Sequence, residues 1–119
     1  MDEEARVLVV DDHEFVRKAL SRRLEMIGCE VRLAKDGRAA IEDCIEWRPH
    51  VVILDRKLPK LNGDDVARLL HEKMDEPPAI IMLTGEPTHF LGPMPGVVKL
   101  FTKPVDFQDL WDAMRPYLL

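Results

Sequence analysis

Hydrophobic positions along the chain follow two rhythms. Unbroken apolar runs of strand length stand at RVLVV (6–10), VVIL (51–54) and AIIML (79–83). Their length and β-branched content read as strands buried on both faces, as in a parallel sheet. VVKLFT (97–102) predicts a further strand, and EVRLA (30–34) alternates, which suits a half-covered edge strand. Between these runs apolar residues recur three and four apart. The sets are Val16, Leu20, Leu24 and Ile27; Ala40, Ile41, Cys44 and Ile45; Val66, Leu69, Leu70 and Met74; and Phe107, Leu110 and Met114. Each predicts a helix with one face on the sheet.

The punctuation between the rhythms agrees with them. Gly28 ends the first helix as a C′ residue. Asp36-Gly37 opens the second, which Pro49 ends. Asp64 or Asp65 begins the third, broken by Pro77-Pro78. Asp106 caps the last, with Val105 placed to staple against Leu110, and Pro116 kinks or ends it. Strands alternating with helices imply right-handed crossovers and a doubly wound α/β domain over residues 1–119. Five such strands fit the parallel order 2-1-3-4-5. Residues 85–96 break the rhythm, with three prolines and three glycines in twelve positions. An interior proline costs a helix roughly 3 kcal/mol, so the helix due between the fourth and fifth strands is expected to be degraded or absent. An irregular loop, or at most one helical turn, should stand there.

Composition narrows the function. The chain has 119 residues, 46% hydrophobic and 33% charged, enough for one domain with a core. A formal net charge of -5 argues against direct nucleic-acid binding, which needs a basic surface. No apolar run reaches membrane-spanning length, and Met1-Asp2-Glu3-Glu4 is the wrong start for a signal peptide. Cys29 and Cys44 have no metal-ligand spacing and read as reduced, buried thiols in a cytoplasmic protein.

The chemistry gathers at strand ends. In the order 2-1-3-4-5 the first and third strands are neighbours, so Asp11, Asp12 and Asp55 meet in one crevice, and Thr84 and Lys103 line its other side. Three close carboxylates repel one another, and a hard divalent cation such as Mg²⁺ resolves the conflict. With an ammonium and a hydroxyl beside them, the group suits a phosphoryl group arriving on Asp55 as nucleophile.

VLVVDD (7–12), VVILDRKLPKLNG (51–63), LTG (83–85) and FTKP (101–104) together carry a resemblance. The chain resembles a receiver domain of bacterial two-component response regulators, of the chemotaxis-regulator type, with a flavodoxin-like fold. The resemblance implies that Asp55 is the phosphoacceptor, served by a histidine kinase or phosphotransfer protein. It implies Mg²⁺ held by Asp12 and Asp55, by Asp11 largely through water, and by the backbone carbonyl of Lys57. Thr84 would hydrogen-bond the phosphoryl oxygen, Lys103 would pair with it, and the Lys103-Pro104 bond would be cis. Such a domain has no dedicated substrate and catalyses only its own phosphorylation and dephosphorylation. Its downstream protein or fused output domain is left open. The last helix ends with the chain, which suits a whole protein or a domain of a longer one.

Three features depart from the family pattern. The segment from Thr84 to Lys103 is short and rich in Pro and Gly. Leu100 stands where the family usually has an aromatic switch, and alternation sends Phe101 to the opposite face, into the core. Lys57 places a cation two residues after the phosphoacceptor. A loop lysine is most often solvated, and that is its expected state; the alternative is a bridge to Glu86 over the site. Partners are then expected on the first or last helix rather than on 85–96. Among competing functions, a flavodoxin-like cofactor binder needs a phosphate cradle where Asp11-Asp12-His13-Glu14 stands. A metal-dependent phosphatase with an Asp nucleophile needs a second Asp at the place of Lys57. A receiver-like interaction module that signals without phosphate is the alternative that remains.

Overall fold

The structure, a computed structural model, describes residues 4–86 and 94–118. Its strands are β1 (Arg6–Val10), β2 (Glu30–Ala34), β3 (Val51–Asp55), β4 (Ala79–Thr84) and β5 (Val97–Thr102). Its helices are α1 (Glu14–Ile27), α2 (Gly37–Trp47), α3 (Gly63–Lys73) and the short α4 (Phe107–Met114), which runs into a 3₁₀ turn at Arg115–Tyr117. The strands form one parallel sheet in the order β2-β1-β3-β4-β5, the doubly wound order expected from the sequence.

The period of two along the strands divides the core into two layers. Leu8, Val10, Val52, Leu54, Ile80 and Met82 face one way and pack with Ala40, Cys44, Val66 and Leu70 of α2 and α3. Val7, Val9, Val51, Ile53, Ile81 and Leu83 face the other way, onto Leu24 of α1 and Leu110 and Met114 of α4. β1, β3 and β4 are therefore covered on both sides, whereas the outer strands β2 and β5 are partly exposed. Leu100 packs toward the first layer and Phe101 toward the second, on opposite faces as alternation requires.

Local rules explain most boundaries. Gly28 takes φ 109, and the amide of Cys29 reaches back to the Leu24 carbonyl at 3.0 Å, closing α1 with a left-handed glycine. The Asp36 carboxylate accepts from the Ala39 amide and caps α2; Asp106 does the same for α4 from Asp109. Three expectations are corrected. Ile27 and Ile45 are each 46% exposed rather than inward. Ile27 is the last residue of α1, with no following turn to cover it, and Ile45 sits at the flank of the α2 stripe, roughly 140° round from Ala40. α3 begins at Gly63, ahead of Asp64, with Asn62 as its cap residue. Gly63 is drawn against the end of β3: its amide donates to the Arg56 carbonyl at 2.7 Å, and a Cβ there would lie 2.8 Å from the Asp55 carbonyl oxygen.

Of the irregular segment expected at 85–96, Gly85 and Glu86 bend away from β4, and Pro95-Gly96 turn into β5. The remainder, and with it the expected loss of a helix, falls on 87–93, outside the described residues. The Lys103-Pro104 peptide is cis.

Candidate functional site

Strand register brings the chemistry together. Val10 pairs with Leu54, so Asp11 and Asp55 leave neighbouring strands side by side. Asp55 pairs with Leu83, which puts Thr84 one residue further along, and Thr84 pairs with Thr102, which puts Lys103 next. Backbone bonds fix this end of the sheet: the Lys103 amide donates to the Thr84 carbonyl at 2.7 Å, and the Arg56 amide to the Leu83 carbonyl at 2.8 Å.

Asp11, Asp55 and Thr84 are nearly sealed from solvent, at 2%, 5% and 1% exposure. Lys103 Nζ lies 3.3 Å from Asp55 Oδ2 and 3.4 Å from Asp11 Oδ2, spanning the two buried carboxylates. The other Asp11 oxygen accepts from the His13 amide at 2.9 Å, and Arg17 holds the Asp11 carbonyl at 2.7 Å. Thr84 Oγ1 accepts from the Glu86 amide at 3.2 Å, which leaves its hydroxyl hydrogen able to donate. Burial pushes the Asp55 carboxyl above its ordinary pKa; the Lys103 ammonium and the Lys57 backbone N–H pull it back, and the Asp11 charge adds to the rise.

Asp11, Asp12, His13 and Asp55 each present a donor atom, all within 4.8 Å of one another. Three carboxylates, if ionised, against one ammonium would leave a net charge of -2, which one divalent cation would balance. The oxygen-rich donor set, open to water on the Asp12 side, fits a hard cation that keeps several waters.

Beside this pocket lies an open cleft lined by Asp12, Arg56, Lys57, Asn62, Asp64 and Glu86. Lys57 forms an ion pair with Glu86 across its mouth. Lys57 stays solvated, 74% exposed, and also makes the bridge held open as the alternative: β3 and β4 are adjacent strands, so the loops that follow them bring the two charges together. The Lys57 ammonium hydrogen-bonds the Glu86 carboxyl and holds it below the usual carboxylate range. Arg56 donates to both Asp64 oxygens, at 3.0 and 3.2 Å. Sequence reading missed two members of this neighbourhood. His13 was legible only as the residue after an acidic pair, and the Arg56–Asp64 clamp depends on the glycine-packed turn that brings the start of α3 back to β3.

Residues 7–115 match the response regulator receiver domain family. A response regulator MprA from Mycolicibacterium vanbaalenii is 35% identical over 115 residues, 95% of this chain and 50% of that protein. One from Mycobacterium avium is 33% identical with the same coverage. The chain thus spans about half the length of the curated relatives it matches. The response regulator domain of Thermotoga maritima CheB is 29% identical, with a TM-score of 0.81 over 98% of this chain and 97% of that one. A CheY-like receiver domain from Methanospirillum hungatei, 23% identical, shares the fold at a TM-score of 0.85 over 98% of this chain and 94% of that one. With a family match that runs from β1 to the end of α4, on a five-stranded 2-1-3-4-5 sheet, the chain belongs to the response regulator receiver domain family.

Proposed function

We propose that this domain takes a phosphoryl group from a histidine kinase or phosphotransfer protein onto Asp55, with Mg²⁺, in the cytoplasm. The observation that carries the reading is the bridge from Lys103 Nζ to Asp55 Oδ2, 3.3 Å long, at the floor of an acidic crevice. An Asp55 oxygen attacks phosphorus in line, the bond from phosphorus to the donor's imidazole nitrogen breaks, and the imidazole leaves with a proton. The product is an acyl phosphate on Asp55. Lys103 moves from sharing two carboxylates to pairing with the arriving phosphoryl oxygens, and the Thr84 hydroxyl donates to one of them. Mg²⁺, held by Asp12, Asp55 and the Lys57 backbone carbonyl and by Asp11 through water, would neutralise charge on the transferring oxygens. Water attacking the same phosphorus regenerates the carboxylate and releases phosphate, so the domain acts only on itself.

A receiver-like module that signals without phosphate would keep this fold and lose the chemistry. Uptake of phosphate from phosphoramidate separates the two. Wild type should be phosphorylated with Mg²⁺ present and not after chelation, and Asp12→Ala should need far more Mg²⁺ for the same uptake. No uptake by a folded wild-type protein at saturating Mg²⁺ would favour the phosphate-independent reading. With a net charge of -5, direct nucleic-acid binding by this domain is not part of the proposal.

A further inference from the structure

His13 follows the acidic pair and turns its ring back onto it. Its Nδ1 lies 3.1 Å from Asp11 Oδ1 and 3.1 Å from Asp12 Oδ1. The residue occupies the cap position of α1, where a Ser or Asp would bond the helix amides, yet its side chain makes no such bond. Backbone geometry at φ -92 and ψ 113, with the His13 amide tied to Asp11 at 2.9 Å, sets the ring over the carboxylates instead. Ligands at right angles around one divalent cation, each bonded at about 2.1 Å, stand about 3.0 Å from one another. As they stand, the Nδ1 contacts are a hydrogen bond or ion pairs to the two carboxylates, and the same spacing suits Nδ1 and Asp12 Oδ1 as neighbouring ligands on one ion, with Asp11 behind them through water.

We propose that His13 is a further ligand of this metal centre through Nδ1, and that its imidazole biases the site toward borderline divalent cations such as Ni²⁺. The inference rests on reading the acidic crevice as a metal centre. Carboxylates and water suit Mg²⁺, whereas imidazole adds affinity for the later first-row ions, which already bind mixed nitrogen and oxygen sites more tightly. The His13 side chain is 68% exposed, so the ring can carry its proton on Nε2 and settle onto an ion without disturbing the core.

Isothermal titration of the untagged protein with MgCl₂ and with NiCl₂ tests this, comparing wild type, His13→Ala and Asp12→Ala. Circular dichroism checks that each variant is folded. His13→Ala should weaken Ni²⁺ about tenfold or more while changing Mg²⁺ less than about threefold, and Asp12→Ala should weaken both. Equal losses for the two ions in His13→Ala would overturn the role in selectivity. Tighter binding of both ions by that variant would show His13 to be a cation covering the acids, and would overturn it as a ligand. Ni²⁺ affinity unchanged in Asp12→Ala would place the ion elsewhere and overturn the site. Mg²⁺ binding by wild type tests the underlying metal centre separately, and its failure together with that of Ni²⁺ would overturn both readings.

Discussion

Asp55 stands under opposed influences. Burial and the Asp11 charge disfavour its ionised form, and the Lys103 ammonium favours it. Under the proposed function that balance would leave the carboxylate only partly neutralised by its partner, with room for a cation and then for a phosphoryl group. The Lys57–Glu86 pair is a different kind of contact, exposed and of little weight in stability. Under the proposed function its place beside the cleft would give it a role in rate instead, since water attacking phosphorus in line would pass that side. Lys57→Ala and Glu86→Ala should each dephosphorylate several-fold faster than wild type, with uptake less affected, as read from the decay of the acyl phosphate. Unchanged lifetimes in both variants would leave Lys57 a bystander. Asp11, Asp12, Asp55, Thr84 and Lys103 were legible from the sequence because each ends an apolar strand or stands within two residues of its end, and topology alone then gathers them. The His13 ring was not, and the Lys57–Glu86 bridge stood only as an alternative, because no period governs where a loop side chain turns.

At the scale of elements, β1, β3 and β4 could be read directly, since strands covered on both faces admit only apolar runs. Helix stripes were legible along their centres and failed at their margins, as at Ile27 and Ile45. The start of α3 was missed by a residue because a backbone packing demand sets it. Gly63 admits no side chain against the Asp55 carbonyl, and Gly37 none against the Leu61 carbonyl oxygen, only 2.6 Å from where its Cβ would lie. Gly63→Ala should therefore cost about 1–3 kcal/mol and lower phosphoryl uptake, since it displaces the β3 end that carries Asp55. Chemical denaturation at full or greater stability would contradict this. Asp36 offers a cleaner test of an element. The Ala39 amide holds its carboxyl below the usual range, with Lys60 assisting. A depressed folded pKa gives stability that is present above the unfolded value of ~3.9 and lost as pH falls through the folded one. Asp36→Ala should then cost about 1 kcal/mol at neutral pH, with the gap from wild type closing in acid. A gap independent of pH would mean that the carboxylate charge contributes nothing to the cap.

Across the whole molecule, the sheet separates two surfaces that share the end carrying the acidic crevice. α1 and α4 lie on one face, joined where the Arg23 guanidinium stacks 4.1 Å from the Phe107 ring, and α2 and α3 cover the other. Leu100 on β5 packs toward the α2 and α3 layer, without the aromatic ring that the family usually has there to report the state of the site. Under the proposed function, this end of the sheet receives phosphate on one carboxylate. Asp55→Asn removes the attacking charge with little change of size, and relieves the burial of a carboxylate beside Asp11. The most direct measurement is intact-mass spectrometry after exposure to phosphoramidate and Mg²⁺, with wild type and Asp55→Asn side by side. Wild type should gain a single phosphoryl group and the folded Asn variant none, as acceptance on Asp55 requires. Equal labelling of the two proteins would contradict it.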